Sequence, residues 1–133
     1  MNSPVAHASL DPGQIVQIEI PVRDLSRALE FYRAVFGWTR SPAEIHNYVV
    51  LDVPEVDNRV QRVGVALVPV GDDTARETLQ VVTYFRHDDP EMLIKKIIEA
   101  GGSKRFGPRK LPAYGDIWQF CDPDGNRFGL FKP

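Results

Sequence analysis

The sequence predicts an α+β fold, in which two tandem βαβββ modules form a curved mixed sheet around a concave cleft. Three observations lead there. Apolar residues alternate with period two in some segments and recur at helical spacing in others. The same order of segments occurs twice, related by a constant shift of 65 residues. The chain also closes on a hairpin, which cannot be stable alone and needs partner strands from upstream.

Residues 1–13 carry Pro4, Pro12 and Gly13 with little periodicity and read as a mobile N-terminal arm. In Ile15-Val-Gln-Ile-Glu-Ile-Pro-Val22, Gln17 and Glu19 face one way and Ile18 and Ile20 the other, which predicts a half-buried strand whose regular pairing ends at Pro21. Asp24 is a good helix N-cap. Leu25, Ala28, Leu29, Tyr32, Val35 and Phe36 give one apolar face, and Gly37 stops the helix. A short strand at 38–40, a loop at 41–47, a strand at 48–53, a turn at 54–58 and a long strand at 60–70 complete the first module, residues 14–70.

A polar linker, 71–77, leads to the second module, 78–133. Leu79 to Phe85 reads as a strand. Asp89 caps a helix with Pro90 in its first turn. Leu93, Ile94, Ile97 and Ile98 form its apolar face, and Gly101-Gly102 ends it. A short strand at 103–106 and a loop at 107–115 precede the hairpin, whose strands Ile117–Cys121 and Arg127–Phe131 flank Asp122-Pro-Asp-Gly-Asn126. Pro presets φ, Gly accepts positive φ, and Asp and Asn bond their own backbone, so this segment is a turn. The shift of 65 carries Asp24 to Asp89, Gly37 to Gly102, Asp57 to Asp122 and Arg62-Val-Gly64 to Arg127-Phe-Gly129. Caps, stops, turns and strands align without a gap, which points to an internal duplication.

Bulk properties narrow the function. A net charge of −2 without a strongly basic balance argues against nucleic-acid binding. No apolar run approaches the ~18 residues of a membrane span, and no secretory signal pattern opens the chain. The single cysteine, Cys121, excludes an intrachain disulfide and suits a reducing cytoplasm.

Val-Gln-Ile-Glu-Ile-Pro-Val-Arg-Asp-Leu (16–25), Phe31-Tyr32, Phe36-Gly37-Trp38 and the 122–126 turn resemble the vicinal oxygen chelate superfamily. That group includes glyoxalase I, bleomycin-resistance proteins, fosfomycin-modifying enzymes and extradiol dioxygenases. The resemblance covers about residues 14 to 132. In the family's metal enzymes, ligands come from the first and last strand of each module. Here those positions read Gln17, Gly64, Val82 and Gly129. Gly and Val offer no donor atom and one neutral Gln cannot hold a divalent cation, so no metal and no cofactor are expected.

The same parity gives a candidate ligand site. Gln17, Glu19, Arg62 and Tyr84 face the cleft, and Trp118 or its neighbour Gln119 joins them from the hairpin. Glu19 is a weak candidate for a catalytic proton acceptor; the competing explanation is a carboxylate paired with an arginine for structure. The aromatics suit a flat organic ligand, or else fill the core. Gly64 and Gly129 leave room for a ligand, or else allow close strand packing. Lys104, Arg105, Arg109 and Lys110 form a basic loop near the cleft mouth. His46 and His87 read as turn or surface residues, and Cys121 as a packing residue. The expected function is a glyoxalase/bleomycin-resistance-like, metal-independent binder of a small organic molecule; the alternative is a lyase or isomerase of small carbonyl compounds on the same scaffold. A homodimer is expected, with Val63, Val65 and Leu67 as its apolar face.

Overall fold

The computed structural model describes residues 13–54, 63–71, 73 and 79–133. It contains eight strands and two helices: β1 Ile15–Val22, α1 Leu25–Phe36, β2 Thr39–Arg40, β3 Val49–Asp52, β4 Gly64–Pro69, β5 Val82–Arg86, α2 Pro90–Glu99, β6 Ser103–Leu111, β7 Gly115–Cys121 and β8 Arg127–Lys132. The class is α+β with mixed pairing. The chain divides into two compact units, Gln17–Val81 and Val82–Pro133, the latter joined by the residues before Gln17. No helix among the described residues is long and apolar enough to cross a membrane.

In the first unit the strand order is β2-β3-β4-β1. β1 and β4 run parallel, with Gln17 opposite Gly64 and Glu19 opposite Ala66. Pairing continues through Pro21 to Val22 opposite Pro69, so Pro21 does not end the ladder as expected; a parallel strand directs only alternate N–H groups to a given neighbour, which leaves Pro a tolerated place. Asp24 caps α1 by accepting a hydrogen bond from Arg27 N at 3.0 Å, and Gly37 closes it in the left-handed conformation. Beneath α1, Val49, Leu51, Val65 and Leu67 pack with Ile20, Val22, Leu25, Ala28, Leu29 and Tyr32. Val65 and Leu67 are therefore core, 4% and 0% exposed, and cannot be the dimer face expected of them. The sheet needs an apolar side for its helix, and these are the residues that supply it.

The second unit has the order β5-β8-β7-β6. β5 and β8 are parallel, and β8-β7-β6 is an antiparallel meander. Gly13 and Gln14 bond Arg86 at the end of β5 (Gly13 N to Arg86 O and Arg86 N to Gln14 O, both 2.8 Å). The rest of the arm lies outside the described residues, as do 55–62, which held the expected turn, Asp57 and Arg62. Asp89 caps α2 by accepting from Met92 N at 3.2 Å. Trp118, Phe120 and Leu130 are buried against Phe85, Leu93, Ile94, Ile97 and Phe128. Burying one such large apolar side chain contributes about 1.5–3 kcal/mol. The stretch 107–111, expected as loop, extends β6 through two register irregularities.

Candidate functional site

Each module has a face turned away from its helix, and on each a carboxamide meets a phenol over a glycine. In the first module Gln17 Nε2 donates to Tyr48 OH at 3.1 Å. The Gln17 carboxamide lies over Gly64, so that a Cβ built there would collide with Gln17 Oε1. Tyr48 is 1% exposed, and Glu19, two residues along β1 on the same side as Gln17, is 6% exposed. The alternation expected for β1 holds: Ile20 and Val22 go under α1, and Gln17 and Glu19 do not.

In the second module Gln119 Nε2 donates to Tyr84 OH at 2.7 Å, with Gln119 8% and Tyr84 0% exposed. The Tyr84 ring lies over Gly129, where a Cβ would run into its edge. Tyr84 is also the residue opposite Gly129 across the strand pair. The shift of 65 places Val82 there; the position is two residues off, because Gln17 stands seven residues before its helix cap and Tyr84 only five before Asp89.

Of the expected site residues, Gln17, Glu19 and Tyr84 occupy these faces. Trp118 does not: it pairs with Leu130 on the α2 side, while Gln119 pairs with Gly129. Tyr48 went unrecognised, since nothing in the strand pattern of residues 48–53 marks one hydroxyl as a partner for a glutamine 31 residues away. Of the basic stretch, Arg109 stands opposite the buried Ile117, on the Gln119 side, and Lys110 opposite Asp116, its Nζ 3.5 Å from the carboxylate. His46 is exposed, with Nε2 3.2 Å from Asn47 Nδ2. His87 Nδ1 accepts from Asp89 N at 3.0 Å, a turn-stabilising role.

Comparison with known proteins shows what the chain is similar to. A family model described as bleomycin resistance protein-like N-terminal matches residues 14–54. A curated relative from Mycobacterium tuberculosis, "Putative glyoxylase CFP32", is 29% identical over 126 residues, covering 92% of this chain and 45% of the relative. A glyoxalase/bleomycin resistance protein/dioxygenase superfamily member from Vibrio splendidus superposes with a TM-score of 0.61 at 18% identity, covering 91% of this chain and 99% of that one. These likenesses support the vicinal oxygen chelate superfamily as the group this chain resembles. Methylmalonyl-CoA epimerase from Streptomyces coelicolor, in complex with 2-nitronate-propionyl-CoA, shares the fold, with a TM-score of 0.68 at 21% identity over 92% of this chain and 98% of that one. The chain spans about half the length of the curated relatives it matches.

The superfamily's metal positions can be tested against these residues. A divalent cation needs several oxygen, nitrogen or thiolate donors, and Gly offers no side-chain donor. The strand pairs here present Gln17 with Gly64, and Tyr84 with Gly129, and the space over each glycine is taken by its neighbour's side chain. The Gln17 amide nitrogen donates to Tyr48, and the Tyr84 phenol accepts from Gln119. No cluster of three or more His, Cys, Asp or Glu side chains suited to a metal occurs among the described residues. These side chains do not fit the superfamily's metal.

Proposed function

We propose that this chain is a metal-independent small-molecule binding protein of the glyoxalase/bleomycin-resistance kind. The observation that carries the reading is the exchange at the metal positions: neutral amide–phenol pairs stand over Gly64 and Gly129, where the superfamily's metal enzymes hold ligands. Hydrogen-bonding groups on a face can orient an organic ligand without needing an ion. The candidate contacts are Gln17 and Glu19 in the first module and, separately, Tyr84 in the second, with Gln119 in the place expected for Trp118. A small organic ligand accords with the acyl-CoA analogue held by the S. coelicolor epimerase. A homodimer in the cytoplasm belongs to the same reading.

A second reading rests on Glu19, a carboxylate 6% exposed beside Gln17. On an isomerase or lyase of small carbonyl compounds it would accept the proton next to a carbonyl.

The test is a thermal-shift panel of acyl thioesters, thiol adducts and drug-like aromatics, each with and without a chelator. A ligand at 100 times its Kd should stabilise the fold by about 2.7 kcal/mol, equally with chelator present and without turnover. Loss of that shift on chelation, or a stoichiometric metal held by Gln17, would overturn the binding reading. Turnover with solvent-deuterium exchange, abolished in Glu19→Gln, would favour the second.

A further inference from the structure

The end of β5 and the start of α2 border a cavity of about 410 Å³. It lies on the helix side of the second module's sheet, away from the face that carries Tyr84 and Gln119. Phe85, Leu93, Phe128 and Leu130 form its apolar walls, and Arg86 and His87 also line it. The shift of 65 gives this cavity a counterpart. Ile20, Pro21, Val22 and Ala28 line one of about 320 Å³ in the first module, and they fall on Phe85, Arg86, His87 and Leu93. A space between the end of the first strand and the start of the helix is therefore common to both modules. Its furnishing differs: Arg23, Asp24 and Arg27 edge the first cavity, whereas the second is mostly aromatic and aliphatic.

Size and polarity limit what the second cavity can take. An apolar space of roughly 150 Å³ holds one benzene, so this one has room for a bicyclic body with a short substituent. The Arg86 guanidinium is engaged by Asp88 at 3.3 Å. His87 is the polar side chain left over. Its Nδ1 accepts from Asp89 N at 3.0 Å, at the cap of α2. A neutral imidazole that accepts at Nδ1 carries its proton on Nε2. His87 is thus a half-buried donor of fixed tautomer, and its side chain makes no other hydrogen bond among the described residues.

We propose that this cavity is a second binding site, for an uncharged apolar molecule of about two rings that carries one hydrogen-bond acceptor, such as an aryl ketone. Phe85 and Phe128, with ring centroids 6.5 Å apart at 62°, form a corner against which a flat ring packs edge-to-face. Leu93 and Leu130 cover the rest of the body, and His87 Nε2 donates to the acceptor. The site is independent of the small-molecule reading of the opposite face.

The probes are acetylnaphthalene, which has a ketone, and ethylnaphthalene, which has the same rings without the oxygen. Titration followed by methyl NMR should move the Leu93 and Leu130 resonances and leave those of Leu51 and Val65, under α1, in place. The ketone should bind about 5-fold tighter, as one hydrogen bond gives. His87→Phe should bring the two affinities together, and Leu93→Trp, which fills the space, should abolish both. Failure of either probe to move Leu93 and Leu130, equal wild-type affinities, or a preference kept in His87→Phe would overturn this site. None of those results touches the reading of the opposite face, which is tested with its own ligands; shifts confined to Tyr84 and Gln119 would support that reading and overturn this one. The wild-type titrations need no variant, so a poorly folding His87→Phe leaves the test intact.

Discussion

The two modules fill the same position with the residue types exchanged. In the first, the amide of Gln17 stands on the strand beside the glycine and the phenol comes from Tyr48. In the second, the phenol of Tyr84 stands on the strand and the amide comes from Gln119 in the hairpin. The exchange changes stiffness. Gln17 is half-buried and only its carboxamide end overlies Gly64, whereas three ring atoms of a fully buried Tyr84 crowd Gly129. Two modules of one pattern can thus keep a position filled while one stays adaptable and the other is held stiffly.

Substituting the two glycines breaks that comparison most directly. Gly129→Ala should cost about 3 kcal/mol, because the ring has nowhere to go in a close-packed interior. Gly64→Ala should cost under about 1 kcal/mol, because the flexible end of Gln17 can swing away. Denaturant midpoints at unchanged m-value give both numbers. Equal losses would mean that Gln17 is held as firmly as Tyr84.

A third glycine separates contact from backbone. Gly125 has φ +87, and a Cβ there would meet nothing within 4 Å, so only its conformation opposes a side chain. Gly125→Val should cost about 1–2 kcal/mol, less than Gly129→Ala, although Val is larger. The reverse order would show that the crowding of Gly129 relaxes easily.

The hydroxyls come next. Tyr84→Phe leaves the buried Gln119 short of a partner and should cost about 1 kcal/mol. Tyr48→Phe should cost less, since the half-buried Gln17 can turn to water. Adding Gln119→Leu to Tyr84→Phe should recover part of the loss, because replacing both partners removes the desolvated amide. If the double variant is worse than Tyr84→Phe alone, the amide is held by more than this phenol.

What was legible in the sequence, and what was not, follows the range of the interactions. Asp24, Asp89, Gly37 and the 122–126 turn act within four or five residues, and each stands where the chain alone placed it. Strand parity was legible for β1, where one alternating run settles Gln17 against Ile18. It failed for Trp118 because hairpin parity depends on which residue pairs with Gly129, a register that the turn does not state. The basic stretch failed for a related reason: the irregularities in β6 are absorbed by its fit against β7, so Phe106 and Arg109 share a face that their spacing denies. The shift of 65 held for the N-caps Asp24 and Asp89, but the second helix ends at Glu99 with Ala100 as its C-cap, before Gly102, and pairing with Gly129 slid by two residues, from Val82 to Tyr84. Cross-strand partners such as Tyr48 with Gln17 are a property of the assembled sheet alone.

The smallest effect concerns the hairpin turn, whose counterpart in the first module lies outside the described residues. Asp122 Oδ1 accepts from Asn126 N at 2.8 Å and Asp124 N at 2.9 Å, and Oδ2 from Asn126 Nδ2 at 2.9 Å. The Asn126 side chain first, then the backbone N–H groups, lower the Asp122 carboxyl from its ordinary value of 3.8. The folded chain therefore holds fewer protons than the unfolded one across that window, and stability gained from the carboxylate is fully present above it. As the pH falls through the lowered folded value, that gain is lost. Asp122→Ala should accordingly melt slightly below the wild type near neutral pH, and the gap should close in acid. The carboxylate is open to solvent screening, so the effect is small. A gap that persists unchanged in acid would mean that the turn is held by its backbone bonds, Asp122 N to Asn126 O at 2.9 Å and Gly125 N to Asp122 O at 3.0 Å, without help from the charge.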